Sequence, residues 1–128
     1  MLALLLAACD PCGDRARVEL DGAFALCAAV ATSDEERRAG LSAVPPLGQG
    51  DAMLLDFPLQ TRVCITTARP GYDIDVLYAD QGGHIVAADC GRGPEDPIQC
   101  VEDVRRVLEL LPREACSDWV GKRLAITP

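Results

Sequence analysis

A chain of 128 residues, 49% of them hydrophobic, is long enough for one domain around one core and too apolar for general disorder. Aromatic residues make up only 4%, so that core must be built mostly of Val, Leu, Ile and Ala. A net charge of −8 argues against a phosphate-backbone partner such as nucleic acid, and against adhesion to anionic lipid by charge alone.

Residues 1–8, MLALLLAA, are uncharged and run into Cys9. Leu6-Ala7-Ala8-Cys9 resembles a bacterial lipoprotein signal, which implies cleavage before Cys9 and lipid on its sulfur. That reading makes 1–8 a signal remnant, 9–16 a linker and 17–128 the domain, and places the protein in the bacterial cell envelope outside the cytoplasm. The run lacks a basic flank and is short for a signal, as a start codon placed too late would produce. A buried N-terminal strand or helix is the plainer alternative. The run is too short to span a bilayer.

Arg15–Leu20 alternates polar and apolar, Asp21-Gly22 is a hairpin turn signal, and Ala23–Val30 is its second strand. Ser33 and Glu36 fit a capping box, so a helix is expected over Asp34–Ala39, stopping at Gly40. Pro45–Gly50 is loop by composition. Short strands are expected at Ala52–Phe57, ended by Pro58, and at Arg62–Thr67. Asp75–Ala79 and His84–Ala88 flank the turn formers Asp80-Gln81-Gly82-Gly83, the mark of a hairpin around which the rest is expected to assemble. Val104–Leu111 is ambiguous between helix and strand. Pro112 permits a helical turn through Ser117, and Arg123–Thr127 reads as a last strand.

Seven cysteines stand at positions 9, 12, 27, 64, 90, 100 and 116. Without a paired CxxC repeat, and with His84 as the single histidine, they do not spell a zinc site, and no metal or cofactor is expected. If Cys9 carries lipid, six remain, the number three disulfides would need in an oxidising compartment. Cys90 and Cys100 bracket the Gly/Pro loop GRGPEDPIQ and are the expected pair. Cys12–Cys27 and Cys64–Cys116 complete the set as a guess.

Several segments together resemble a known family. Ser33–Leu41 is similar to its helix motif ending in Gly-Leu, and Gly50–Pro58 to its G-M-L-F-x-F-P strand. Asp75–Asp80 with Gly83–Val86 resembles its central hairpin. Arg106–Leu110 resembles its Y-V-L-E-L strand, and Val120–Arg123 its closing V-G-D-R. The family is the bacterial and archaeal domain of unknown function 192, and the resemblance covers residues 17–127. It implies a compact, mainly β fold with small helices, an antiparallel sandwich or barrel around the hairpin at 73–90, and no established activity. It also implies a strand at Val104–Leu111. Members usually carry a Trp-Met-Lys-Asn-Thr-like motif where this chain reads Thr66-Thr67-Ala68-Arg69-Pro70, so any ligand site made by that motif is lost or altered here.

For chemistry, Asp73 and Asp75 would share one side of a strand, as a cation site or an acid/base pair. The bland alternative is two solvated acids, Asp75 pairing with Arg69. Thr66, Thr67 and Arg69 would join Asp75 if the neighbouring strands are adjacent. His84 follows a turn and has no partner motif, no serine sits in a nucleophile elbow, and Trp119 reads as a core plug. The expectation is a membrane-tethered binding or accessory domain without catalytic residues, its partner a protein or small molecule. The alternatives are a small hydrolase or carbohydrate-active enzyme using Asp73 and Asp75, and a cytosolic structural domain.

Overall fold

The computed structural model describes residues 12–68 and 70–127; the Leu6–Cys9 segment and Arg69 lie outside them. Strands β1 (Ala16–Leu20) and β2 (Phe24–Ala31) form the first hairpin. Asp21 and Gly22 turn it with φ of 52° and 67°, the paired positive values that match strand twist and that Asp-Gly tolerates. Helix α1 (Asp34–Ala39) begins in the expected capping box: the Ser33 hydroxyl accepts from the Glu36 N–H at 3.1 Å, and the Glu36 carboxylate accepts from the Ser33 N–H at 3.0 Å. Backbone N–H donors of Thr32 and Ser33 hold the Glu36 carboxyl below its ordinary range. Strands β3 (Asp51–Ile65), β4 (Ile74–Ala79), β5 (Ile85–Arg92), β6 (Gln99–Leu110) and β7 (Leu124–Thr127) follow, with 3₁₀ turns at Gly40–Ala43 and Cys116–Trp119.

The strands make one sheet in the order β5-β4-β6-β3-β2-β1-β7. Every neighbouring pair is antiparallel except β2 and β3, whose parallel pairing needs the long crossover that α1 occupies. The sheet curls until its two outer strands meet. His84 bridges Arg123, and the Leu124 N–H donates to the Gly83 carbonyl at 2.7 Å. Gly83 has φ of 87°, and a Cβ there would lie 2.8 Å from the Leu124 carbonyl oxygen, so only glycine permits this closure. The architecture is therefore a curled half-barrel of one sheet, not a two-sheet sandwich.

Two sequence expectations change. The β4–β5 hairpin forms but lies at the edge, while β6 and β3 occupy the middle. The strands expected at 52–57 and 62–67 are one bent strand, β3. Pro58 does not end it, because its pairing with β6 lapses between Asp56 and Thr61 and no ladder N–H is required there. The Val104–Leu111 segment is strand as far as Leu110, as the family resemblance implies.

Both faces of the sheet are apolar. The enclosed face packs Val18, Leu20, Leu26, Leu54, Leu77, Ile85, Leu108 and Leu124. The other packs Met53, Leu55, Val76, Tyr78 and Val107 against Leu41, Val63 and Ile65, which reach over it from the 3₁₀ turn and the bent end of β3. This double burial explains why all six residues of β4 are buried, with no alternation.

Three disulfides staple the fold: Cys12–Cys27, Cys64–Cys100 and Cys90–Cys116. The expected Cys90–Cys100 and Cys64–Cys116 pairs do not form. Cys90 is on β5 and Cys100 on β6, with β4 between them. Two strand spacings amount to about 10 Å, beyond the reach of a disulfide. Cys64 and Cys100 instead face each other directly in the β3–β6 register.

Candidate functional site

The outer-face core opens into a cleft. Between α1, the Gly40–Ala43 turn and the bent end of β3 lies a cleft of about 320 Å³, walled by Leu41, Leu55, Phe57 and Ile65 and rimmed by Arg37 and Arg38. Glu109 lines it from β6. Its cross-strand neighbours are Met53 and Val76, so an acid occupies an apolar row. The residue is 5% exposed, and no group among the described residues donates a hydrogen bond to it or pairs with it. Burial without compensation disfavours the charged form and pushes its pKa up to about 7.

The rim is asymmetric. The Arg37 guanidinium donates to the Asp56 carbonyl at 2.9 Å and to the Asp34 carboxylate at 2.6 Å, and it lies 5.0 Å from the Phe57 ring centre. It also donates to the Thr32 carbonyl, which fixes it as part of the frame. Asp56 is in turn held by Arg105 and Arg106. Arg38, one residue on, is exposed and engaged by nothing among the described residues. Beside Glu109 on the same face, the Tyr78 hydroxyl is buried without a hydrogen-bond partner, and burial raises its pKa. Burial also raises Asp89, against the opposing pull of Arg92 at 3.5 Å.

The residues singled out from sequence are not brought to one place. Asp75 is 2% exposed and belongs to the opposite side of β4 from the cleft. One of its oxygens accepts from the Gly91 N–H and the other from the Arg113 N–H, each at 2.8 Å. It pins the end of β5 to the loop after β6 and has no free face for a substrate. The Cys90 and Cys116 sulfurs lie within 4.8 Å of Asp75, but they are joined to each other and offer no thiolate. Asp73 precedes β4, is exposed, and reaches toward Gly93; the Thr67 hydroxyl donates to the Gly93 carbonyl at 2.7 Å. Among the described residues of the set, only Thr66 lines the cleft, together with Pro70. The cleft wall thus includes Thr66 and Pro70, the two ends of the stretch where the chain departs from the Trp-Met-Lys-Asn-Thr pattern. His84 is exposed beside Asp80, and Trp119 packs edge-on against Phe24, centroids 5.1 Å apart. Glu109 is legible in the sequence only as one letter of a strand motif; an acid inside the run Val107–Leu110 was the signal.

These residues build a disulfide-stapled, curled β-sheet domain with an apolar cleft over a buried carboxyl. The chain belongs to the DUF192 family, described as Uncharacterized ACR, whose model matches residues 16–120. A structure described as that of a putative transcription regulator from Sinorhizobium meliloti 1021 is similar, with 25% identity, a TM-score of 0.78, and 88% of this chain and 93% of that one covered. A protein of unknown function from Novosphingobium aromaticivorans DSM 12444 shares the fold with a TM-score of 0.75 at 14% identity, over 85% of this chain and 83% of that one. No curated protein matches the chain significantly. Among the described residues, no helix is long and apolar enough to cross a membrane.

Proposed function

We propose that this protein is a non-catalytic binding domain of the bacterial cell envelope, working outside the cytoplasm, tethered by lipid on Cys9, with the cleft over Glu109 as its ligand site. The observation that carries the reading is the disposition of sulfur: the six cysteines from Cys12 to Cys116 form three disulfides. Such bonds persist in oxidising compartments. The seventh cysteine follows Leu6-Ala7-Ala8, the arrangement that resembles a lipoprotein signal. The hydrolase alternative is weakened because both Asp75 oxygens are occupied by backbone N–H groups. The transcriptional role named for the Sinorhizobium protein gains no support here, since a chain of charge −8 repels DNA phosphates.

The test is metabolic labelling of the full chain in a bacterial host with an alkyne fatty acid, followed by envelope fractionation. Label that appears in the envelope and disappears in Cys9→Ala agrees with the tether. Absence of label, or label that survives the substitution, rules it out. Recovery of the native protein with its thiols free would remove the compartment argument.

A further inference from the structure

We infer that the cleft takes a small primary amine with an apolar body, its ammonium set against the Glu109 carboxylate and its outer end, when anionic, held by Arg38. The inference rests on the reading of the cleft as a ligand site and names what that site would recognise.

Three observations carry it. The first is the Glu109 carboxyl itself, 5% exposed, lining a cavity, and given no donor by the described residues. Buried acids are ordinarily hydrogen-bonded or paired, because an isolated one is costly. Here the missing donor has a place to come from, which is the cleft. The second is the wall. Leu41, Leu55, Phe57 and Ile65 present apolar surface, and about 320 Å³ suits a small organic molecule with an aliphatic or ring body. The third is the division of labour between the two arginines. Arg37 spends its donors on Thr32, Asp34 and Asp56, whereas Arg38 spends none within the described residues. An uncommitted guanidinium at the mouth and an uncommitted carboxyl within suit a ligand cationic at its inner end and anionic at its outer end.

The competing ligand classes fit less well. A simple carboxylate would meet Arg38 but push its apolar end, or its own charge, against Glu109. A hard cation needs six or more oxygens, and the cleft offers one carboxylate and the Thr66 hydroxyl, the Asp34 carboxylate being held by Arg37. A soft metal would need thiolate, and Cys64 is tied to Cys100.

Four probes of one length separate these possibilities: hexylamine, hexanol, hexanoate and 6-aminohexanoate. Each is titrated into the full chain while the amide resonances of Leu41, Ile65 and Thr66 are followed by NMR. Hexylamine should move those amides and bind at least about tenfold more tightly than hexanol, the return expected of a charge-assisted hydrogen bond. Hexanoate should be the weakest, and 6-aminohexanoate the tightest. In Glu109→Gln, hexylamine should fall to the level of hexanol; in Arg38→Ala, 6-aminohexanoate should fall to the level of hexylamine, whose own binding stays unchanged. If Glu109→Gln fails to fold, the comparison of hexylamine with hexanol on the unmodified protein decides alone. Hexanol or hexanoate binding in the cleft as well as hexylamine would overturn the amine assignment and leave the cleft a ligand site. No shift of cleft amides by any probe up to about 10 mM, weaker than a ligand this small should bind, would overturn both.

Discussion

Replacing Glu109 by Gln should change how stability depends on pH, and the size follows from its burial. In the unfolded chain the carboxyl ionises near 4.5; in the fold, lying between Met53 and Val76 without a donor among the described residues, it holds its proton until about 7. Below 4.5 both states are protonated and the group is neutral to folding. As pH rises the unfolded state loses the proton first, so the folded state is progressively disfavoured, and the loss is complete once pH passes the folded value. The full excursion corresponds to about 3 kcal/mol, a sizeable part of a typical total of ~5–15 kcal/mol. The amide of the Glu109→Gln variant has no proton to lose in this range. Once buried, it imposes some cost of its own, but that cost is the same at every pH. Urea unfolding of both proteins from about pH 4 to about pH 8 brackets the window. Other groups drop out of the difference between the two curves. Among them are Glu36 and Asp51, whose lowered values add stability that is lost as pH falls, and Asp89, whose raised value acts in the opposite sense. The variant should gain on the wild type by about 3 kcal/mol across that range. A constant offset would refute the reasoning, showing that the carboxyl finds a donor or water in the folded protein.

Other outcomes follow from the same structure. Asp75→Ala removes the acceptor from the part-buried Gly91 and Arg113 N–H groups, and should cost about 2–6 kcal/mol in urea unfolding, at roughly 1–3 for each donor; a loss under about 1 kcal/mol would contradict the pinning role. Gly83→Ala should force the Leu124 carbonyl away, seen as faster hydrogen exchange at the Leu124 amide with little change in the β3–β6 ladder. Non-reducing peptide mapping should recover the pairs 12–27, 64–100 and 90–116, and a Cys90–Cys100 peptide would contradict the strand order. Replacing both Cys90 and Cys116 by Ser should cost about 3–4 kcal/mol on the loop-entropy argument.

Local chemistry was readable from the sequence because it is decided within a few residues. Asp21-Gly22 dictates its turn, Ser33 with Glu36 its helix start, and the Asp80–Gly83 turn its hairpin, all from steric and hydrogen-bonding preferences of neighbours. What distance along the chain decides was not readable. Sheet order places β4 between β5 and β6, and that single fact turned the plausible loop closure of Cys90 with Cys100 into an impossible one. Pro58 looked like a strand end because its neighbours give no sign that β3 and β6 leave a gap in their ladder there. Asp75 attracted attention as an acid near another acid, yet in the fold its two oxygens serve backbone donors from β5 and from the loop after β6. Glu109 drew none, since a strand with one face in solvent could carry it harmlessly. Only the burial of both faces of the sheet makes it an anomaly.

The account depends most on Glu109 being a buried acid that lines the cleft and has no partner among the described residues. The direct measurement is the pH titration of its side-chain carboxyl ¹³C resonance, assigned through Glu109→Gln, with and without hexylamine. The expected midpoint is about 7 for the protein alone, moving lower when the ammonium occupies the cleft. A midpoint near the ordinary 4.5, unmoved by the amine, would contradict it.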